Sequence, residues 1–387
     1  MDGKPVAGTR PRRRAEEILS HAAGLFRQNG YHGVGVDDIA RSVGITGGAI
    51  YRHYRSKEHL LVAMIDRVVD RLAEVLGATL LEGGEPRLCV LAELTAGLCF
   101  TDGDLMSAYQ REMRSLPAAQ RDRVRDQQRE LAGVWARALK AEVAGLAAPE
   151  TRYRTAALIG LALTPLSHDA GLPQPEYHTM IVDLVLAAGR VPVPEYARSR
   201  GRASAEPDTS RRRDRILHEA IRLARAHGYP AVTIESIGAA AGIDGSTVYR
   251  HYRDKEDIFL TAYELAGRQL LSTLDDEALV HELVARYIDH ALRHGDLVAV
   301  WLTESSHFTG TRSRDARGLQ TTYTKRLVRA LRGARPELDD EHAEVIVRAV
   351  FLLVNGAVSL GPATRFSEQR MRTLLGSMAG ACLEVSR

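Results

Sequence analysis

The sequence predicts an all-α protein made of two tandem units, each with a head of short helices followed by a larger helical domain. Three observations lead to this fold class. The stretch at 44–57 occurs again at 242–255, 198 residues later. Apolar residues recur at spacings of three and four through most of the chain, which is typical of amphipathic helices. No segment alternates apolar and polar residues with a period of two, as a half-buried strand would.

The repeated stretch has the pattern of a turn followed by a short helix. The copies read GITGGAIYRHYRSK from residue 44 and GIDGSTVYRHYRDK from residue 242. Glycine at the first position suits a turn with an unusual backbone conformation, and Thr46 or Asp244 is placed to cap the helix. Ile50 and Tyr54 lie four residues apart on one face, which predicts that they are buried. The remaining face is polar and cationic, and it suits a groove of DNA.

Helical periodicity continues through the first repeat with short breaks. Helices are predicted at 15–28, 36–43, just after residue 46, and at 56–76, 88–100, 105–115, 118–144, 150–166 and 174–188. A linker rich in proline and arginine follows at 190–210, and the pattern then restarts at Ile216. Between 30–58 and 228–256, 14 of 29 positions are identical. Glu112 recurs as Glu304 at an offset of 192, so the duplication extends beyond the heads.

The charge of the chain is local rather than global. Formal net charge is only +3, but an arginine run precedes each repeated motif. A single run of this kind is often only a solvated tail, whereas two runs at matching places favour contact with phosphate. The arginines are Arg12, Arg13 and Arg14 in the first run and Arg211, Arg212 and Arg213 in the second.

Other features of the composition exclude several classes of protein. Cys89, Cys99 and Cys382 are too few and too scattered for a disulfide framework or a zinc site, so a reducing cytosol is expected. No apolar run approaches the roughly 18 residues of a membrane-spanning helix, and residues 1–14 have no apolar core of a secretory signal. A cytoplasmic protein without a membrane partner is therefore predicted.

The pattern G-I-x-G-x-x-(I/V)-Y-R-H-Y-R-x-K-E, with two short helices before it and a long one after, resembles the TetR/AcrR family of transcriptional regulators. The resemblance covers 10–66 and 208–264. It implies that the third helix of each head enters the major groove of double-stranded DNA. It also implies that the last two helices of a subunit form the dimer interface and that a small molecule binds among the middle helices.

A family member is usually one such unit, and this chain carries two. The resemblance therefore implies a single-chain pseudo-dimer, in which the last helices of the halves, 150–189 and 339–386, form a four-helix bundle. The implied organisation is a helix-turn-helix domain at 1–57, a regulatory domain at 58–189, the linker at 190–210, a second helix-turn-helix domain at 211–255 and a second regulatory domain at 256–387. Pairing of whole chains is left open.

Family positions carried over to this sequence assign contacts with DNA. Phosphate-contacting positions align with Thr46, Tyr51, His53 and Lys57, and with Tyr249, His251 and Lys255. Base-reading positions align with Gly47, Gly48, Ala49 and Arg52, and with Gly245, Ser246, Thr247 and Arg250.

Both heads keep the arginine, whose bidentate contact with guanine is the commonest specific one. The alternatives are that Arg52 and Arg250 touch only phosphate and that the two tyrosines belong to the core. Asp244 replaces Thr46 and brings a negative charge towards phosphate, so the second head is expected to bind more weakly.

The ligand side is less specific. Large or polar residues on the candidate inner helices are Phe100, Tyr109, Trp135, Tyr153, His168, Trp301, Phe308, Tyr323, Phe351 and Asn355. Each alone is explained by ordinary core packing, but together they favour an apolar, aromatic-lined cavity. A lipophilic effector is expected, with no cofactor and no metal, and the family resemblance implies acyl-CoA-like or polyketide-like molecules as candidates.

These features favour a DNA-binding repressor that an effector releases from an imperfect inverted-repeat operator. An activator of the same family is the alternative. An enzyme is disfavoured because the sequence has no HExxH, phosphate-binding glycine loop, G-x-S-x-G or CxxC motif. A scaffold whose heads bind protein is less favoured because both copies keep the Tyr-Arg-His-Tyr run and the lysine.

Overall fold

The computed structural model describes residues 9–80, 86–196, 212–275, 277–308, 310–361 and 366–385, and every regular element in these ranges is a helix. The first repeat contains α1 (Thr9–Asn29), α2 (Val36–Val43), α3 (Gly47–Tyr51), α4 (Lys57–Leu80), α5 (Leu88–Thr101), α6 (Gly103–Glu112), α7 (Ala118–Glu142), α8 (Ala148–Ala162) and α9 (Gln174–Gly189). The second contains α10 (Arg212–His227), α11 (Ile234–Ala240), α12 (Gly245–Tyr249), α13 (Lys255–Leu271), α14 (Val280–Arg293), α15 (Gly295–Glu304), α16 (Gly310–Ala334), α17 (Asp340–Val358) and α18 (Glu368–Leu383).

Helix α1 begins earlier than the predicted start at residue 15, so the first arginine run is itself helical. The sequence TRPRRR has no apolar residue at helical spacing, and hydrophobic periodicity therefore could not reveal it. Arginine is a good helix former, and Pro11 is tolerated because it lies in the first turn. The arginines of this run thus belong to α1.

Contacts divide the chain into two compact units that do not coincide with the repeats. Unit 1 consists of 1–84 and 97–133, and unit 2 consists of 85–96 and 134–387. Unit 1 therefore holds the first head together with α4, α6 and part of α7. Unit 2 holds the entire second repeat and also α8 and α9. The domain boundaries expected from the sequence follow the repeats, and they remain a proposal.

In unit 1 the first head packs around one small apolar core. Ile18 and Phe26 of α1, Ile39 of α2 and Ile50 of α3 are all at most 1% exposed. Burying each such side chain contributes roughly 1.5–3 kcal/mol, so a few residues suffice to hold three short helices together. Helix α6 packs on α1 and α4, which joins the head to the middle of its repeat.

The second head repeats this arrangement within unit 2. Ile216, Ile237 and Val248 are fully buried, and the core continues through Phe259 of α13 to Phe308. Helix α10 packs on α15, and α13 packs on α16. The second head therefore shares its core with the middle helices of its own repeat.

The predicted four-helix bundle is present in unit 2. Helix α8 packs along α17, and α9 packs along α18, so the last helices of the two repeats are partners. The Tyr153 hydroxyl donates to the Gly361 carbonyl oxygen at 2.8 Å, and His342 Nε2 lies 3.0 Å from Glu176 Oε1. This bundle explains why residues 156–163 are apolar on every face, because α17 and α9 cover α8.

The start of the linker is fixed to α8 by a buried arginine. Arg154 is fully buried and pairs with Glu150 at 2.8 Å. Its guanidinium donates to the carbonyl oxygens of Val191 at 2.6 Å and Pro192 at 3.0 Å. A buried charge must be paired in this way. Residues 197–211, most of the predicted linker, lie outside the described residues.

None of the helices in the described ranges has both the length and the apolarity needed to cross a bilayer.

Candidate nucleic-acid interface and effector cavity

The turn before each short helix needs the glycine that the sequence places there. Gly44 has φ 72° and Gly242 has φ 68°, in the left-handed region that glycine adopts without strain. In the first head the Ile45 amide donates to the Ala40 carbonyl oxygen at 2.9 Å, which closes the turn. In the second, a Cβ added to Gly238 would lie 2.8 Å from the carbonyl oxygen of Ile243. In the second head this glycine therefore lets α11 approach the turn before α12 closely.

Helices α3 and α12 bury one seam and expose the opposite face, as predicted. Tyr54 is 7% exposed and Tyr252 is 2% exposed, whereas Tyr51 is 54% exposed and Tyr249 is 55% exposed. The alternative that the latter two are core tyrosines is therefore wrong. A large, half-apolar side chain in the same exposed position in both heads is available for a partner.

The predicted side-chain caps are not formed. Thr46 and Asp244 are the N-cap residues of α3 and α12, but neither side chain accepts a backbone hydrogen bond. Backbone carbonyls hold the first turns instead, with the Ala49 amide donating to Thr46 O at 2.9 Å and the Thr247 amide to Asp244 O at 2.9 Å. The Thr46 hydroxyl and the Asp244 carboxylate are thus exposed beside the start of each helix.

The other candidate base-reading positions differ in access. Gly48 and Ser246 are exposed, whereas Gly47, Ala49 and Gly245 are half-buried. Thr247 is only 8% exposed. Ser246 is therefore the accessible hydroxyl in the second head, whereas Thr247, which also aligns with a base-reading position, has little exposed surface for such a contact.

The two arginines at the C-terminal ends of these helices are held differently. Arg250 donates from Nη2 to the Thr247 hydroxyl at 2.7 Å. Arg52 is exposed, and the corresponding position in its head is Ala49, which has no hydroxyl. The Arg52 side chain makes no hydrogen bond or ion pair with any described residue. The same arginine is therefore oriented within the second head and unrestrained in the first.

Lys57 and Lys255 are bound to the head itself. Lys57 Nζ donates to the carbonyl oxygens of Tyr31 and Val34, both at 2.9 Å, and lies 4.3 Å from the centre of the Tyr31 ring. Lys255 Nζ donates to Tyr229 O at 2.8 Å and lies 4.2 Å from that ring. Both ammonium groups thus hold the segment between the first and second helices, a role the sequence did not reveal.

The arginine runs also divide into free and bound side chains. Arg13 and Arg212 are exposed, and Arg14 forms an exposed ion pair with Glu17 at 2.9 Å. Arg213 donates to the Tyr252 hydroxyl at 3.2 Å and lies over its ring at 5.2 Å, so it braces the second head. Arg12 lies in α1 with its side chain outside the described part, and Arg211 lies outside the described residues altogether. Of the two histidines, His53 is half-buried and His251 is exposed.

Two buried glutamates lie behind the same segment. Glu112 at the end of α6 is 3% exposed and accepts from the Tyr31 amide at 2.9 Å. Glu304 at the end of α15 is also 3% exposed. It lies 3.5 Å from His307, whose ring stacks on Tyr229. These glutamates link α6 and α15 to the heads. Their recurrence in both repeats is the sequence signal that could have pointed to this role.

A cavity of about 80 Å³ lies among α13, α14, α15, α16 and α17 of the second repeat. Four of the expected ligand residues line it: Trp301, Tyr323, Phe351 and Asn355. The sequence did not indicate the other lining residues, of which the aromatic or polar ones are Tyr263, Tyr287, His290, His294 and Gln320. Helical spacing alone could not single them out, because they come from α13, α14, α16 and the turn between α14 and α15.

The remaining candidates are packed elsewhere and are not among the described residues that line this cavity. Tyr109 and Trp135 are buried, and Phe100 is half-buried. Tyr153 belongs to the bundle, where its ring lies 5.4 Å from Phe366. Phe308 fills the core under the second head, 5.0 Å from the Tyr229 ring. His168 lies 3.9 Å from Glu344.

Comparison with known proteins gives two matches to one family profile. The profile described as "Bacterial regulatory proteins, tetR family" matches residues 18–64 and again 216–262. These segments contain the two turn-helix motifs and the first part of the long helix after each.

Several curated relatives are regulators. The HTH-type transcriptional repressor NicS of Pseudomonas putida is 25% identical over 177 residues, covering 44% of this chain and 81% of NicS. The repressor AcnR of Corynebacterium glutamicum is 36% identical over 70 residues, covering 18% and 37% of the two chains. The activator FasR of Mycolicibacterium smegmatis is 36% identical over 75 residues, covering 18% and 34%. The chain thus spans about a third of AcnR and FasR.

Among solved structures, a TetR-family transcriptional regulator from Bordetella parapertussis is 24% identical. The alignment covers 44% of this chain and 93% of that one, with a TM-score of 0.40. The two profile matches fall on the two heads, and the chain is a tandem member of the TetR family of bacterial regulatory proteins.

Proposed function

We propose that the chain is a transcriptional repressor that binds its operator through α3 and α12 and is released by a small-molecule effector. The observation that carries the DNA contact is the matched exposure of Tyr51 and Tyr249, at 54% and 55%. Each lies beside an arginine on a short helix whose other face is buried. Such a helix offers phosphate contacts from tyrosine and a base contact from arginine.

The residues take the following roles in this proposal. Tyr51, His53, Tyr249 and His251 contact phosphate together with the exposed Arg13, Arg14 and Arg212. Arg52 and Arg250 read a base, with Ser246 beside them in the second head. Lys57 and Lys255 hold the heads in shape, and their remaining N–H donors add electrostatic attraction to phosphate.

The bundle makes one chain the counterpart of a dimer, so one chain is expected to cover one operator. Gly48 and Ala49 of the first head correspond in sequence to Ser246 and Thr247 of the second. The half-sites should therefore share an arginine-read position and differ beside it. The operator is then an imperfect inverted repeat. Joining the heads raises the effective concentration of the second one, so the head that carries Asp244 need not bind alone.

Helix α15 supports a route from the cavity to the second head. It carries Trp301 on the cavity wall and, one turn later, Glu304 beside Tyr229. An effector can release DNA only if it favours a conformation that fits the operator less well. A ligand that shifts Trp301 would also move Glu304 and the segment that Lys255 holds.

The test begins with DNA selected from random sequence by the full chain at low salt. Footprinting and the mass of the complex then give the operator and the number of chains bound. We expect an imperfect inverted repeat bound by one chain, and the Tyr51→Ala/Tyr249→Ala variant should lose most of this affinity. Arg129→Ala removes a 74%-exposed charge from α7 and should change little. A perfect palindrome bound by two chains would contradict the pseudo-dimer arrangement.

The direction of regulation needs its own measurement, because the curated relatives include both repressors and an activator. In vitro transcription from the promoter beside the selected operator should fall when the chain is added. A rise would identify an activator with the same DNA contacts. Absence of any selected DNA would favour the alternative that the heads bind protein.

A further inference from the structure

The cavity of the second repeat has walls that specify the chemistry of its ligand more narrowly than "lipophilic". The Tyr263 and Trp301 rings stack with centroids 3.5 Å apart at an angle of 15°. On another side the Tyr287 and Phe351 rings lie 4.3 Å apart. Flat aromatic surfaces make their best contacts with flat ligands, through offset stacking or edge-to-face packing.

The wall carries no formal charge. None of the described residues that line it is Lys, Arg, Asp or Glu. Burial lowers the pKa of His290 to about 3 and that of His294 to about 4, so both rings are neutral near pH 7. A carboxylate or phosphate entering this space would lose its hydration without meeting a counter-ion, which is strongly unfavourable.

One polar group is placed to orient a ligand. Asn355 is 5% exposed and lines the cavity. Its Oδ1 accepts from the Tyr287 hydroxyl at 2.9 Å, and its side-chain amide N–H groups have no hydrogen-bond partner among the described residues. A buried donor of this kind favours a ligand with a carbonyl or hydroxyl oxygen that can accept from it.

The first repeat lacks these side chains at the aligned positions. With the offsets of 198 and 192 that relate the repeats, Tyr263 corresponds to Ile65, Tyr287 to Thr95 and His290 to Leu98. Gly267, which corresponds to Val69, lies so close to α16 that an added Cβ would be 2.9 Å from Leu319 Cδ1. The two repeats have therefore diverged at the positions that build the cavity.

We propose that the second repeat alone binds the effector, one molecule per chain, and that this ligand is an uncharged, planar fused-ring compound whose oxygen accepts a hydrogen bond from Asn355. The inference rests on the proposed effector-responsive function, because it names the ligand class of that same site. It excludes coenzyme A thioesters, whose phosphates would require cations.

Matched pairs of probes test whether the cavity disfavours charged ligands. Calorimetric titration of the full chain with 2-acetonaphthone and with fluorenone is compared with 2-naphthoate and fluorenone-2-carboxylate, which keep the rings and add a negative charge. We expect the ketones to bind at one molecule per chain and the acids to bind at least about tenfold more weakly, since a buried charge would be unpaired. Equal or tighter binding of the acids or of decanoyl coenzyme A, two molecules per chain, or no binding of either ketone would overturn the proposal.

Asn355→Leu tests the polar contact with a built-in control for folding. It should weaken the binding of 2-acetonaphthone by about five- to tenfold, as expected for the loss of one buried hydrogen bond. It should leave 2-ethylnaphthalene, which has the same shape without the oxygen, nearly unchanged. Equal effects on both probes would overturn the role of Asn355.

Binding to the selected operator separates this inference from the proposed function. A ketone that binds as described but leaves DNA affinity unchanged would refute the effector switch while the ligand class stands. Release of DNA by a charged compound, with no binding of either ketone, would refute the ligand class while the switch stands.

Discussion

Gly160 on α8 and Gly356 on α17 lie directly against each other where the last helices of the two repeats cross. A Cβ added to Gly160 would be 3.1 Å from Gly356 Cα and 2.5 Å from the carbonyl oxygen of Leu352. Two side chains at this point would force the helices apart. The absence of both Cβ atoms therefore sets how closely the repeats are joined.

Gly160→Ala and Gly356→Ala should each destabilise the chain, by about 1–3 kcal/mol as in other overpacked cores. The added methyl group meets rigid backbone that cannot move without separating α8 from α17. Urea unfolding followed by circular dichroism measures the effect. Gly376→Ala on α18 is the matched control, because its added Cβ meets nothing within 4 Å, and it should be neutral or slightly stabilising. Equal effects at all three positions would contradict the close crossing.

Arg52→Ala should cost about 1–3 kcal/mol of operator affinity and relax base preference at one position of one half-site. Arg250→Ala should do the same in the other half-site. Quantitative binding to all single-base variants of the operator measures both losses. Arg129→Ala, which removes an exposed charge outside the heads, should not alter base preference. A loss that is uniform over all sequences would mean that these arginines touch only phosphate.

Thr247→Ala removes the hydroxyl that holds Arg250 and recreates the alanine found at the same place in the first head. The freed arginine should then behave like Arg52, so the base preferences of the two half-sites should become more alike beside the shared position. Repeating the DNA selection with this variant checks the outcome. An unchanged selected sequence would show that the hydrogen bond does not shape specificity.

Lys57→Ala should reduce stability as well as DNA affinity, because Lys57 bonds to two backbone carbonyls that would lose a partner. Hydrogen bonds to charged groups contribute about 1.5–3 kcal/mol each in proteins, and partial exposure reduces this here. Denaturation and DNA titrations at several salt concentrations separate the two effects. Lys140→Ala, an exposed lysine on α7, is the control for charge alone. Full stability with a flatter salt dependence would make Lys57 a phosphate contact only.

Stability should fall as the pH drops below about 6.5, the ordinary pKa of histidine. Burial lowers the pKa values of His290 and His294 to about 3 and about 4, so the unfolded chain binds protons that the folded chain does not. Between about pH 6.5 and these lowered pKa values, each histidine should reduce the free energy of unfolding by at most about 1.4 kcal/mol for every unit that the pH falls. Urea midpoints at pH 7.5, 6 and 5 should therefore differ more from one another in wild type than in His290→Gln/His294→Gln, where this part of the pH dependence is lost. The same slope in both proteins would contradict neutral burial.

Cys99 and Cys382 should resist thiol reagents until the chain unfolds. Burial raises the pKa of each thiol to about 12, so almost no thiolate is present at pH 8, and only the thiolate reacts. Cys89 is half-buried and should react first. Timed labelling at pH 8 with mass spectrometry of peptides distinguishes the three. Labelling of Cys382 at the rate of Cys89 would show that the bundle opens readily.

The sequence by itself determined the helical class, the duplication and the exposed face of each recognition helix. These properties are local: the helical period fixes which residues share a face, and only glycine accepts the backbone of the turn at Gly44 and Gly242. The exposure of Tyr51 and burial of Ile50 follow from adjacent positions on one short helix. Even the partnership of the bundle helices could be anticipated, because the resemblance assigned the interface and the repeat duplicated it.

Only the tertiary structure decided which polar groups meet and where space remains. Lys57 donates to the carbonyl oxygen of Tyr31, 26 residues away in the sequence, and the Tyr287 hydroxyl donates to Asn355, 68 residues away. The helical period shows that such a side chain turns inward, but it carries no information on the helix it will face. For the same reason the sequence named aromatic residues in both repeats, whereas the cavity in the second repeat depends on how five helices pack around it.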